Sequence, residues 1–207
     1  MTQNFSNLES MQRSSRNLTR RLIPCLLLAA ALYSTQAPAY HEASEPSDGT
    51  VDSFRWLQQP LPLSEISVAQ WSGKRVSLSR YKGKIVLLNF WAAWCPPCVR
   101  ELPALDRLQQ RQGGEQFSVV AISLDSSPQA AREMFVDRLA LEHLDFLLEP
   151  AEQLGKHLPV DVLPSNFIID RDGRVIGVLR SFVDWDSPAA DEFIEHLLDG
   201  SLPPPPN

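Results

Sequence analysis

Lys84–Leu105 reads KIVLLNFWAAWCPPCVRELPAL. Its first eight residues, Lys84–Trp91, are an apolar, β-rich run of the length of a buried central strand. Pro96–Gln112 reads as the following helix. Pro96 and Pro97 fall in its first turn, where proline is tolerated, and Gly113-Gly114 ends it. Cys95 and Cys98 therefore stand at the junction of a buried strand and a helix. That spacing lets the first sulfur sit at the helix N-terminus with the second one turn behind. The two can close a small disulfide ring with little backbone movement. The helix dipole and its free amides favour a thiolate at the first position. The chemistry this predicts is thiol–disulfide exchange, with Cys95 attacking to give a mixed disulfide and Cys98 resolving it.

Two blander uses of the pair are a structural disulfide and half of a zinc site. The chain has 3 cysteines, and the third, Cys25, lies far from the pair, so a four-cysteine zinc site is excluded. His41, His143, His157 and His196 include no pair at close metal-knuckle spacing. Pro96 and Pro97 both lack an N–H and leave the helix start with fewer donors for Cys95. A Cys95 thiol titrating below the ordinary value, without being extreme, is expected, and with it a reductant more than a strong oxidant. Trp94 is expected to be partly exposed beside the disulfide, and Trp91 to pack in the core.

Outward from this segment the chain alternates strands and helices. Towards the N-terminus, Leu61–Ser79 turns at Ser72-Gly73, predicting a β-hairpin with strands near 63–70 and 75–78. Towards the C-terminus, Phe117–Leu124 is a second buried strand and 128–141 a helix. A short strand over 145–148 and a short helix over 151–157 follow. Strands 166–170 and 174–180 meet at Asp172-Gly173, a strong hairpin signal, and form an antiparallel edge. Residues 188–198 are an amphipathic helix. Right-handed crossover makes the first two main strands parallel. The fold class is α/β, with a central mixed sheet, helices on both faces and an added N-terminal hairpin.

The flanks read differently. Arg13, Arg16, Arg20 and Arg21 precede an eleven-residue apolar stretch, Leu22–Leu32, and Ala37-Pro38-Ala39 supplies small residues for cleavage. A membrane helix needs about 20 apolar residues. Residues 1–39 are thus an export signal, with an uncleaved membrane anchor as the alternative. Cys25 falls inside the signal, in a poor lipidation context. Residues 40–60 read as a polar linker, 61–200 as the domain and 201–207 as a proline-rich tail. Removal of 1–39 takes four arginines and Glu9, so the net charge of −6 becomes −9. This acidic balance excludes a general nucleic-acid binder. Export places the cysteine pair in an oxidising compartment, the periplasm.

The segment Leu87–Leu105 resembles the active-site region of the thioredoxin superfamily, and more narrowly the exported TlpA/ResA/CcmG-type thiol-disulfide oxidoreductases. Gly83-Lys84, VVAISLD (119–125) and VLPSNFIIDRDGRVIG (162–177) extend the resemblance over roughly 60–199. It implies a thioredoxin-like three-layer fold. It also implies that Pro164, after Leu163, is the cis-proline that faces the disulfide, with the backbone beside it pairing with substrate. Trp94, Pro96, Pro97, Leu163 and Pro164 are the substrate-binding candidates; Cys95, Cys98 and Glu101 are the catalytic ones. Thioredoxins carry a buried Asp where this chain has Asn89, as in the TlpA-type branch. Glu101, three residues after Cys98 on the same helix face, is the candidate proton acceptor in its place. The alternative for Glu101 is a solvated first-turn acid. Pro103 would kink the helix.

The protein is expected to be a monomeric reductase acting on exported proteins with cysteines, cytochrome c maturation among the candidate settings. Electrons would come from a membrane thiol–disulfide donor, since no cofactor motif is visible. A peroxiredoxin-like peroxidase needs a Pro-x-x-x-Thr/Ser-x-x-Cys loop. Counting back from Cys95 finds Ala92 and Leu88, and from Cys98 finds Cys95 and Trp91, so neither register fits. A copper-handling chaperone holding Cu(I) on the two thiolates is the non-enzymatic rival, unsupported by any Met-rich or His-rich stretch.

Overall fold

The computed structural model describes residues 49–63, 66–149, 158 and 160–201. The expected export signal, the helix over 151–157 and the end of the proline-rich tail lie outside the described residues, as does the first part of the linker, 40–48.

Eight strands form one mixed sheet among the described residues. They are β1 (Arg55–Pro62), β2 (Ser67–Gln70), β3 (Arg75–Ser77), β4 (Ile85–Trp91), β5 (Phe117–Ser123), β6 (Asp145–Leu148), β7 (Ser165–Ile169) and β8 (Arg174–Leu179). Their order is β1-β8-β7-β4-β5-β6-β2-β3. β4 and β5 run parallel from Ile85↔Phe117 to Trp91↔Ser123, as the crossover rule predicts.

β4 is buried on both sides, which is why its sequence is a continuous apolar run without alternation. Ile85, Leu87 and Trp91 face a cluster containing Leu102, Leu105 and Leu108 of helix α1 (Pro96–Gln112). Phe193, Ile194 and Leu197 of helix α3 (Pro188–Asp199) join the same cluster. Val86, Leu88 and Phe90 face the opposite cluster, closed by Leu78 and Tyr81 of a 3-10 helix over Leu78–Tyr81, with Leu63, Ile66 and Leu158.

Three expectations need correcting. The expected linker over 40–60 is too long at its C-terminal end, because β1 occupies Arg55–Pro62 and pairs with β8. β1 was hard to see because it is an edge strand with no buried residue, broken by a register shift between Trp56 and Leu61. It carries Pro60 and Pro62, which only an edge or bulged strand tolerates. For the same reason the β7–β8 hairpin does not end the sheet. The edge lies one strand further out.

The predicted 128–141 helix is shorter than expected. Helix α2 spans Pro128–Arg132, then widens into a π-helical turn over Glu133–Arg138. The chain leaves it through Ala140 at φ 50°. The N-terminal hairpin forms as β2–β3 with Gly73 at φ 80°, and it extends the sheet beside β6.

Candidate active site

β4 ends at Trp91 and α1 begins at Pro96, leaving four residues to make the turn between them. Cys95 is the N-cap of α1, with extended backbone at φ −101° and ψ 98°. Its Sγ accepts the Cys98 N–H at 3.4 Å. Pro96 and Pro97 have no N–H, so Cys98 is the first residue inside the helix that can donate. The two sulfurs are joined, with a Cα–Cα separation of 5.3 Å. Both cysteines are buried, while Trp94 stands 71% exposed beside them. Pro96 is exposed and Pro97 half-buried. Trp91 is fully buried and packs on Phe135 and Phe146.

The Leu163–Pro164 peptide is cis. β7 runs antiparallel to β4 with Phe90 opposite Ser165, so Pro164 lies at the sheet end from which the cysteine turn emerges. Pro164 is buried and Leu163 half-buried. Two interactions hold this loop. The Ser165 hydroxyl donates to the Val162 carbonyl at 2.7 Å, and Arg180 forms an ion pair with Asp161 at 3.0 Å. Val162, just before the cis bond, is exposed.

Glu101 lies one turn along α1 from Cys98 and is fully buried. A solvated first-turn acid is therefore excluded. Its Oε1 accepts the Trp185 indole N–H at 2.6 Å, the Asn166 amide at 3.0 Å and the Val183 N–H at 3.2 Å. Its Oε2 accepts the Asn89 amide at 3.3 Å. Asn89 and Asn166 are directly paired in the β4–β7 register and share a 2.9 Å hydrogen bond. Burial pushes the Glu101 carboxyl up to about 7, against the pull of these four donors. A carboxyl poised there can exchange a proton near neutral pH.

Asn166, Val183 and Trp185 escaped the sequence reading. Asn89 and Asn166 left a faint signal, since each is an amide inside an apolar strand. Trp185 left none, because its indole reaches Glu101 only through the tertiary fold. Among the described residues no group of three or more His, Cys, Asp or Glu is placed to hold a metal ion. No helix among them is long and apolar enough to cross a membrane.

The Redoxin family profile matches residues 58–193, from β1 into α3. The chain belongs to the Redoxin family. This redoxin is 30% identical over 168 residues to the thiol-disulfide oxidoreductase ResA of Geobacillus thermodenitrificans, covering 80% of this chain and 87% of the relative. A putative thiol:disulfide interchange protein DsbE from Chlorobium tepidum superposes with TM-score 0.59 at 29% identity, over 69% of this chain and 99% of that one. The exposed lipoprotein thioredoxin Etrx1 of Streptococcus pneumoniae superposes with TM-score 0.54 at 26% identity, over 64% and 98%. With its joined Cys95–Cys98 pair, this redoxin is a thiol-disulfide oxidoreductase of the thioredoxin superfamily, in the TlpA/ResA/CcmG-like branch.

Proposed function

We propose that the protein reduces disulfides in exported proteins through a Cys95/Cys98 dithiol–disulfide cycle. The observation that carries this reading is Cys95 at the α1 N-cap, bonded to Cys98 and flanked by exposed Trp94. In the reduced protein the Cys95 thiolate attacks one sulfur of the substrate disulfide. A Cys95–substrate bond forms and the other substrate sulfur leaves as a thiolate, which takes up a proton. Cys98, having lost its proton, attacks Cys95 Sγ and expels the second substrate thiol. The substrate gains two electrons and the protein leaves as the Cys95–Cys98 disulfide. Glu101 is the proton acceptor for Cys98, one helical turn away. Trp94, Pro96, Pro97, Leu163 and Pro164 form the surface that receives the substrate chain.

The setting is the periplasm, on the strength of the export signal over 1–39, cleaved or kept as a tether. A membrane thiol–disulfide carrier returns the electrons. Apocytochrome c is one exported cysteine protein that such a cycle would serve, and the protein works as a monomer. A trapping experiment tests the cycle. Cys98→Ala should accumulate mixed disulfides through Cys95, with partners identified by mass spectrometry. Equal capture by Cys95→Ala would sink the mechanism.

A further inference from the structure

The turn that presents Cys95 is held from outside α1 and β4. Trp91, the last residue of β4, pairs with Ser123, the last residue of β5, and the Trp91 carbonyl accepts the Leu124 N–H at 2.9 Å. The next residue along, Asp125, reaches back across the gap. Its Oδ2 accepts the Ala93 N–H at 2.9 Å. The same oxygen accepts the Ser123 hydroxyl at 2.8 Å, and that hydroxyl accepts the Asp125 N–H at 3.1 Å. Within the turn, the Cys95 N–H donates to the Ala92 carbonyl at 3.1 Å. Asp125 is 6% exposed and Ser123 fully buried, so water competes little for these bonds.

We infer that Asp125, braced by Ser123, is a positioning residue that fixes the Ala92–Cys95 turn and so aims the Cys95 sulfur. A carboxylate is suited to this task. A backbone N–H bonds an ionised acceptor more strongly than a neutral one. Ala93 and Cys95 are two residues apart, and the Cys95 N–H bonds back onto the turn, so anchoring Ala93 anchors the N-cap. The inference rests on Cys95 being the attacking sulfur.

The test uses the reduced protein and an aromatic disulfide probe, 5,5′-dithiobis(2-nitrobenzoate). The Cys95 thiolate attacks one probe sulfur and releases one nitrothiobenzoate. Cys98 then attacks Cys95 Sγ and releases the second. The first release is followed by stopped flow as a function of pH. The alkaline plateau reports the reactivity of a fully formed thiolate. A change in charge near the thiol moves the midpoint and alters the plateau only through the weak dependence of nucleophilicity on thiol basicity (slope about 0.4–0.5), for which Asp125→Asn is the control. Asp125→Ala, folded by circular dichroism, should lower the plateau about tenfold, since small misplacements of a reacting group cost one to two orders of magnitude. Asp125→Asn keeps an oxygen for the Ala93 N–H and should recover most of the loss. Ser123→Ala, which removes only the brace, should fall about threefold.

A wild-type plateau in Asp125→Ala, or an Asp125→Asn plateau as low as that of Asp125→Ala, overturns the inference. Should Asp125→Ala fail to fold, a wild-type plateau in Ser123→Ala overturns it and a lowered one supports it. Cys95→Ala separates the two levels. Rapid first release in that variant removes the Cys95 reading and the inference with it. A silent Cys95→Ala beside an unaffected Asp125→Ala removes the inference alone.

Discussion

Glu101 shows how burial changes the meaning of a residue. An acid three residues after Cys98 is legible as a candidate from helix periodicity, but whether water reaches it is not. The fold closes over it and supplies Asn89, Asn166, Val183 and Trp185 as donors. Its carboxyl, pushed from the ordinary 4.5 up to about 7 by burial, keeps its proton in the folded chain over a range where the unfolded chain has lost it. The stabilisation from this group is complete below the unfolded value and is lost as pH rises through about 7. Denaturant titrations from acid to mildly alkaline pH should show the wild type losing on the order of 3 kcal/mol relative to Glu101→Gln across that window. A pH-independent difference would show that the folded carboxyl titrates normally. Trp185→Phe removes the shortest of the four bonds and should raise the carboxyl further. The upper edge of the stability window would then move to higher pH.

At the scale of elements, two features carry predictions. The first is the start of α1, where consecutive prolines leave Cys98 as the first N–H inside the helix for Cys95 Sγ. Pro97→Ala adds one donor without adding charge. A better-supported thiolate stabilises the reduced form. The Cys95/Cys98 couple should therefore become more oxidising, by about tenfold in its equilibrium with glutathione, or ~30 mV. An unchanged equilibrium would show that the missing N–H does not set the poise. The second is the β1–β8 pair. Trp56 sits opposite Gly177, and a Cβ added at Gly177 would lie 2.9 Å from the indole carbons Cε3 and Cζ3. Gly177→Ala should cost about 1–3 kcal/mol of stability, seen in denaturant midpoints, while leaving exchange rates unaltered. β1 itself illustrates why edges evade sequence reading. RWLQQPLP buries nothing, so neither alternation nor an apolar run marks it as a strand.

At the scale of the whole molecule, the domain accounts for residues from β1 to α3, and our proposal assigns the apolar stretch before it, preceded by four arginines, to export. Mass spectrometry of the protein recovered from the periplasm of an expressing cell should find a chain beginning at Tyr40. A chain that keeps its first 39 residues and partitions with membranes would establish the tether instead.

The amino-acid order alone determined the strand–helix junction that holds Cys95 and Cys98, the parallel β4–β5 core and the Asp172-Gly173 hairpin. These depend on hydrophobic runs, proline position and turn chemistry, all local properties of the chain. It also marked Pro164 as the family's cis-proline, mainly through resemblance, its local signal being only a proline just before a buried strand. Only the tertiary structure decided what surrounds the cysteines. Asn166 and Trp185 are 65 and 84 positions from Glu101, and Asp125 is 32 positions from Ala93. No periodicity encodes such contacts, because they exist only once the sheet has brought its strand ends together. The sheet's outermost strand was hidden for the related reason that an edge needs pairing geometry more than buried side chains.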